Sequence, residues 1–243
     1  STMPVVKRLS VLLLFSAFQG LLATVCDAAD YTFRVEPARD TSSISPYIYG
    51  SNGFNDLRGG NMTCMRMGGN RLTGSNWENN ASNAGTDWNN SSDAFLSGSN
   101  DPARAVTDFV DGCRSINQRS LVTLQMAGYV AADKNGTVTN AQVAPSIRWK
   151  EVAFTKGTPF SLVPDATDSK VYIDELVNFL VKKYGFSSQG GVFAYSLDNE
   201  PGLWKDTHPL IHPAGVTCAE LVRKSTDCSK AVKAVDSTAL IFG

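Results

Sequence analysis

Short apolar stretches alternate with longer amphipathic ones along most of the chain. Apolar runs bounded by glycine, proline or small polar residues predict strands over 31–37, 47–51, 62–68, 120–128, 191–199 and 239–243. Apolar residues at helical spacing predict helices over 102–117, 169–184 and 218–235. Strands that alternate with helices are typical of a parallel sheet built from βα units, so the pattern predicts an α/β fold.

The ends of two predicted helices carry stop and start signals. Gly185 follows the helix over 169–184, where glycine often ends a helix. Thr217 and Glu220 have the spacing of a capping box at the start of the last helix.

The spacing of the elements predicts an incomplete fold. From Tyr47 onward the pattern gives four βα segments and a fifth strand within about 200 residues, whereas eight such segments would need about 300 or more. The last predicted strand, 239–243, has no helix after it, although a buried parallel strand needs a crossover. We therefore expect residues 44–243 to be the front part of a longer domain.

Composition and charge exclude some classes of partner. The 243 residues carry a formal net charge of -1, with 42% hydrophobic and 19% charged residues. These values are ordinary for a globular protein. Because no excess of positive charge is present, we expect neither a nucleic-acid partner nor a membrane partner.

The N-terminal segment has the pattern of an export signal. Lys7 and Arg8 precede an apolar run over 9–25, and Ala28 offers a small residue for cleavage. The run is too short and too poorly flanked for a membrane span. We predict a signal peptide over 1–28 and a secreted protein.

Four cysteines remain after the predicted signal, at 64, 113, 218 and 228. An even number in an exported protein permits disulfides. The alternative for Cys113 is a buried thiol, because Val106, Phe109 and Val110 share its helical face. No C-x-x-C pair is present, which argues against a zinc site.

The stretch from 74 to 100 is rich in Asn, Ser and Gly and contains Trp77 and Trp88. It is too long for a plain connection between elements. We expect either a functional loop or a mobile one.

The strand over 191–199 ends in Asp198-Asn199-Glu200-Pro201. A carboxyl group at the carboxyl end of a parallel strand lies where α/β enzymes place their chemistry. Because Pro201 disfavours the helical region for the residue before it, we expect Glu200 to be extended. The alternative interpretation is a solvated turn, since Asp, Asn and Pro all favour turns.

Two histidines, His208 and His212, are spaced as on one helical face. Each is followed by proline, at 209 and 213, which spoils a helical pair of ligands. We therefore predict no metal site, and no motif indicates another cofactor.

Three blocks of the sequence, 44–52, 65–80 and 195–213, resemble blocks of glycoside hydrolase family 44 in the same order. That resemblance implies a (β/α)8 TIM barrel, of which about the first half would be present over 44–243. Residues 29–43 would then supply a strand of an accessory β-sandwich. It also implies a retaining, endo-acting glycoside hydrolase that cleaves β-1,4-glucan of the cellulose or xyloglucan type, with the polysaccharide as its partner and no cofactor.

The resemblance also implies roles for matched residues. Glu200 would be the general acid/base, Asn199 would bind the sugar 2-hydroxyl, and Arg66 would steady the nucleophile. The nucleophile of this family is a Glu on the seventh strand, so the chain is expected to lack it.

Aromatic and amide residues complete the implied site. Trp77 would be a sugar-stacking platform, and Asn52 and Trp204 are weaker candidates for the cleft. Trp77 could instead anchor its loop, and Trp88 is expected to be structural. The rival functions are a non-hydrolytic carbohydrate-binding protein and an inactive fragment of the enzyme.

Overall fold

A computed structural model describes residues 31–53 and 62–243. The predicted signal peptide over 1–28 therefore lies outside the described residues. The chain divides into two compact units, 1–43 and 44–243.

The described part of the first unit, 31–43, contains no strand and no helix. Tyr31, Phe33 and Val35 are largely exposed. A strand is stabilised by pairing with a neighbour, and no strand pair involves these residues. The structure therefore does not confirm a strand over 31–37, and the accessory-sandwich strand over 29–43 stays a prediction.

The second unit is built on a parallel sheet of five strands. Strands are numbered in chain order, and those of this sheet are given next in the order in which they pair across it. Its strands are β1 (Gly50–Asn52), β2 (Cys64–Met67), β6 (Arg119–Leu124), β11 (Ala194–Leu197) and β12 (Leu240–Phe242). Five of the six predicted strands are thus confirmed in position, each shorter than predicted.

Two smaller sheets are inserted between these strands. One has the order β3-β4-β5-β8 and is antiparallel. It comprises β3 (Gly74–Ser75), β4 (Ser82–Asn83), β5 (Ser91–Asp93) and β8 (Gly136–Thr137). The other has the order β10-β9-β7 and comprises β7 (Tyr129–Ala131), β9 (Trp149–Ala153) and β10 (Lys170–Tyr172).

The helices are α1 (Asn70–Thr73), α2 (Arg104–Ser115), α3 (Ile173–Tyr184), α4 (Trp204–Thr207) and α5 (Cys218–Val235). Short 3-10 helices lie at Pro46–Ile48, Gly85–Trp88, Asn140–Gln142, Ser187–Gln189 and Pro201–Leu203.

The predicted helix over 169–184 begins four residues late, because Lys170–Tyr172 pairs with β9 as a strand. Gly185 ends α3 with a φ of 85°, and the Thr217 hydroxyl accepts a hydrogen bond from the Glu220 N–H, as predicted for the start of α5.

The three long helices bury apolar faces in one core with the parallel sheet. Central strands β6 and β11 are buried, whereas β1 and β12 are edges of that sheet among the described residues.

Cys113 is buried, as the helical spacing predicted, and the cysteines at 64, 113, 218 and 228 are all free thiols. Within residues 31–53 and 62–243, no helix has the length and apolarity required to cross a bilayer.

The Asn-rich stretch from 74 to 100 is folded around its own amides. Side chains of Asn76 and Asn79 donate to the carbonyl oxygens of Ala131 and Ala132, and Asn83 donates to that of Asn90. These bonds satisfy backbone groups that a short strand leaves unpaired. The stretch therefore forms β3, β4, β5 and a 3-10 helix.

Candidate active site

Predicted site residues from three strands meet at one edge of the parallel sheet. Asn52 is the last residue of β1, Arg66 lies near the end of β2, and Asn199 and Glu200 follow β11. Parallel strands bring their carboxyl ends to the same edge, which explains why residues so distant in sequence converge.

The backbone after β11 turns sharply at two non-glycine residues. Asp198 has a φ of 59°, and Glu200 has φ 44° and ψ 61°, both in the left-handed region. The prediction of an extended Glu200 is therefore wrong. Glu200 caps the 3-10 helix Pro201–Leu203, and its carbonyl accepts the Leu203 N–H at 2.8 Å, so the chain must turn at this residue. Such conformations persist where the surroundings over-determine them, which is frequent at functional sites.

The carboxylate of Asp198 holds this turn in place. It is only 2% exposed. One oxygen accepts from the Thr73 hydroxyl at 2.6 Å and the Asn199 N–H at 2.7 Å, and the other accepts from the N–H groups of Met126 and Ala127. Burial raises the pKa of Asp198, and these hydrogen bonds act in the opposite direction. Sequence reasoning assigned Asp198 no role, although an acid after a buried strand was a visible signal.

The guanidinium of Arg66 joins the strand ends. Its Nε donates to Ser196 Oγ at 3.1 Å, and its Nη2 donates to the Asp198 carbonyl at 2.9 Å. Its Nη1 donates to the side-chain oxygens of Asn52 at 3.0 Å and Asn199 at 3.2 Å. Arg66 thus contacts β1, β11 and the turn that carries the acid.

The local charges also act on Arg66. Burial lowers the pKa of Arg66, and the carboxylates of Asp198 and Glu200 oppose that shift. The arginine therefore stays a cation beside the acid.

The side chain of Glu200 is exposed, and its neighbour Asn199 is buried. Asn199 Nδ2 donates to Glu200 Oε2 at 3.3 Å and to Asn70 Oδ1 at 2.9 Å. The carboxyl group is thus held by one amide and is open to a ligand. This arrangement can present a proton to a bound molecule.

Trp77 does not have the surface position that a sugar-stacking role requires. It is 3% exposed, its ring lies 6.1 Å from that of Phe179, and its Nε1 donates to the Tyr172 carbonyl at 3.1 Å. The loop after β2 carries this tryptophan back into the core, where apolar area is buried. Trp77 is an anchor for that loop.

Trp204 is also in the core and not in a cleft. It is fully buried in α4, with its ring 5.1 Å from that of His212 and 5.0 Å from Lys224 Nζ. Helix α4, which follows Glu200, directs the Trp204 side chain into the core. The prediction that Trp204 lines the cleft is wrong, because no ligand reaches a fully buried ring.

Trp88, which was expected to be structural, is 66% exposed. It follows Asp87 on the 3-10 helix Gly85–Trp88, and the Asp87 carboxylate accepts from Asn70 Nδ2 at 3.0 and 3.3 Å. Asn70 in turn contacts Asn199, so this exposed tryptophan is on an element joined to the site. Composition could not tell which tryptophan of the stretch would be buried.

The two histidines serve the fold. His208 is buried, with Nδ1 3.0 Å from the Thr207 hydroxyl, and burial lowers its pKa to about 4. His212 Nε2 lies 3.0 Å from Glu220 Oε1 and its Nδ1 lies 2.7 Å from the Ala214 carbonyl. In the part of the chain that the structure describes, no group of three or more His, Cys, Asp or Glu residues could hold a metal ion.

Comparison with known proteins identifies one family. The family model described as glycoside hydrolase family 44 matches residues 81–243. Endoglucanase A of Paenibacillus lautus is 53% identical over 226 residues, which are 89% of this chain and 32% of that protein.

Solved structures agree with this match. A xyloglucanase of Paenibacillus polymyxa from the same family, solved with xyloglucan, has a TM-score of 0.80 at 53% identity. A family 44 endoglucanase of Clostridium thermocellum has a TM-score of 0.79 at 54% identity. Each alignment covers 83% of this chain and 41% of the solved chain. The chain thus spans less than half the length of these relatives.

Proposed function

The chain belongs to glycoside hydrolase family 44, and we propose that it supplies the acid/base half of the active site of a retaining endo-β-1,4-glucanase. The observation that carries the proposal is the exposed carboxyl of Glu200, held by Asn199 beside Arg66 at the carboxyl edge of a parallel sheet. The names of the relatives support a cellulose- or xyloglucan-type substrate.

In the proposed mechanism Glu200 acts twice. It first gives its proton to the glycosidic oxygen while an opposing carboxylate attacks the anomeric carbon. The bond between that carbon and the glycosidic oxygen breaks, the departing sugar leaves as an alcohol, and a glycosyl-enzyme remains. It then removes a proton from water, which attacks the same carbon and releases the sugar with its original configuration. Asn199 would bind the sugar 2-hydroxyl during both steps.

The opposing carboxylate is proposed to come from a part of the enzyme outside this chain. The support is that this chain spans 41% of the solved relatives. The five parallel strands would then be the first part of a (β/α)8 barrel. The polypeptide as given is expected to be inactive alone, and the signal over 1–28 would direct the enzyme out of the cell.

Trp88 is proposed as the sugar-stacking residue in place of Trp77. Its ring is exposed on the element that reaches Asn70, whereas Trp77 is buried. An exposed indole offers the flat apolar face that a sugar ring requires.

The test uses an enzyme that carries this segment in a chain of full family length. Glu200→Gln should abolish release of reducing ends from carboxymethylcellulose and xyloglucan. The same variant should still cleave a dinitrophenyl cellobioside in a first step, because that leaving group needs no proton. Azide should then accelerate turnover and give a glycosyl azide of retained configuration.

Two results would contradict the proposal. One is full glucan cleavage by Glu200→Gln. The other is binding of glucan with no cleavage by the unchanged enzyme, which would favour a carbohydrate-binding protein.

A further inference from the structure

A line of hydrogen bonds joins Glu200 to a carboxylate on a different element. Asn199 Nδ2 contacts Glu200 Oε2 at 3.3 Å and Asn70 Oδ1 at 2.9 Å. Asn70 Nδ2 in turn donates to both oxygens of Asp87, at 3.0 and 3.3 Å. The sequence blocks gave no role to Asn70 or Asp87.

The chemistry of these groups fixes the direction of each bond. An ionised carboxylate only accepts, so the NH₂ of Asn70 must face Asp87 and its oxygen must face Asn199. The NH₂ of Asn199 therefore faces Asn70. Its oxygen faces two donors that cannot accept, the Gly69 N–H at 3.2 Å and Arg66 Nη1.

Asp87 is itself held against the helix that follows the acid. The Thr86 hydroxyl donates to the Asp206 carbonyl at 3.0 Å. A Cβ at Gly85, which has a φ of 56°, would overlap the Thr207 carbonyl, so the 3-10 helix Gly85–Trp88 lies in close contact with α4. The hydrogen bonds from Asp87 to Glu200 therefore join two elements, the 3-10 helix Gly85–Trp88 and the turn before α4, that are packed together.

We propose that Asp87 and Asn70 are positioning residues that lock the amide of Asn199, and through it the carboxyl of Glu200, for proton transfer. The proposal rests on the acid/base function of Glu200. Asp87 does not touch the reacting atoms. Its effect reaches them through two amides whose orientation it determines.

A charge swap tests the lock in the enzyme of full family length. Asn70→Asp places two carboxylates face to face and should lower kcat on xyloglucan about tenfold with little change in KM. Asp87→Asn, which leaves the direction of the Asn70 amide undetermined, should lower kcat about threefold. In the double variant, Asn at 87 can donate to Asp at 70, which still accepts from Asn199. The double variant should therefore recover to within about threefold of the unchanged enzyme.

The choice of leaving group separates positioning from general loss of structure. If the lock serves proton donation by Glu200, the deficits should be clearly smaller for the first step with dinitrophenyl cellobioside, which needs no proton, than with xyloglucan. Any part of the deficit that is common to both substrates would come from the contact of Asn199 with the sugar 2-hydroxyl. Asp108→Asn is the matched control, because it removes an exposed carboxylate bound to Arg104 on α2 and should leave both rates unchanged.

The inference is overturned if the double variant is no better than Asn70→Asp, or if the deficit is equal with both substrates. Failure of the positioning role of Asp87 and Asn70 can be distinguished from failure of the acid/base role of Glu200. A Glu200→Gln enzyme with full activity on xyloglucan would remove the acid/base role itself. The alternative result is that Glu200→Gln behaves as an acid/base variant while the Asp87 and Asn70 variants keep full activity. That result would contradict only the positioning role of Asp87 and Asn70.

Discussion

Gly68 lies where the Arg66 guanidinium passes beside Asn52. A Cβ built on Gly68 would overlap both Arg66 Nη1 and Asn52 Oδ1, so any side chain there must displace the arginine. Gly68→Ala should therefore lower kcat/KM about a hundredfold, because small misplacements at a site have large kinetic effects. The measurement is xyloglucan turnover by the enzyme of full family length.

Gly53→Ala is the matched control, since a Cβ at Gly53 meets no atom of the described residues within 4 Å. It should leave kcat/KM unchanged, and both variants should unfold near the temperature of the parent protein. Unaltered turnover in Gly68→Ala would contradict the role given to Arg66.

Among single residues, the sequence predicted which polar side chains converge at the sheet edge but not which tryptophans are exposed. Asn199, Glu200 and Arg66 follow or end predicted strands, so parallel pairing alone brings them together. Trp77 and Trp88 share one polar stretch, and only the path of the chain after β2 decides which of them is buried. That path depends on Asn–backbone bonds across the two smaller sheets, which no local pattern encodes.

Helix α5 shows how an element supports the site from a distance. Its Lys224 Nζ donates to the Ala127 carbonyl at 3.3 Å, and the Ala127 N–H binds the Asp198 carboxylate. The helix starts at Thr217, whose hydroxyl accepts the Glu220 N–H at 3.1 Å. Thr217→Ala should lower the free energy of unfolding by about 1 kcal/mol, because it leaves an orphan N–H at the first turn.

Chemical denaturation measures this loss, and Thr217→Ser is its control. Serine keeps the hydroxyl and should retain most of the stability. An unchanged free energy of unfolding in Thr217→Ala would show that the cap contributes nothing to α5.

Element types were more predictable than element ends. The three long helices lie where apolar periodicity put them, and α5 has the predicted bounds of 218–235. The strand Lys170–Tyr172 falls within the helix predicted over 169–184, since three residues are too few to show the two-residue period of a strand. The predicted strand over 31–37 is not present among the described residues, because a strand needs a pairing partner, which the sequence pattern of the segment does not supply.

The pH dependence of stability belongs to the whole molecule, because buried acids and bases act in opposite directions. Burial lowers the pKa of His208 from 6.5 to about 4, so its stabilising contribution is present above about pH 6.5 and is lost as the pH falls through 4. Burial raises the pKa of Glu78 from 4.5 to about 7, although Lys150 opposes it. Its contribution is present below about pH 4.5 and is lost as the pH rises through 7.

The contributions of His208 and Glu78 to the pH dependence of the unfolding free energy partly cancel in the unchanged protein. The difference in unfolding free energy between the protein and a variant at one of these residues isolates the contribution of that residue. His208→Asn should be less stable than its parent at about pH 7, and the gap should narrow by about 2 kcal/mol at about pH 5. Denaturation of both proteins at the two pH values tests this. A gap of constant size would mean that His208 has the same pKa folded and unfolded.

The order of the main sheet, β1-β2-β6-β11-β12, follows the order of those strands along the chain. During synthesis each of these strands therefore emerges from the ribosome after the neighbour on which it is laid. The nascent chain can add strands one by one at a single growing edge, with no need to wait for a later strand to be inserted between earlier ones. We expect the arginine of β2 to be in place before the ribosome reaches the acid that it will face.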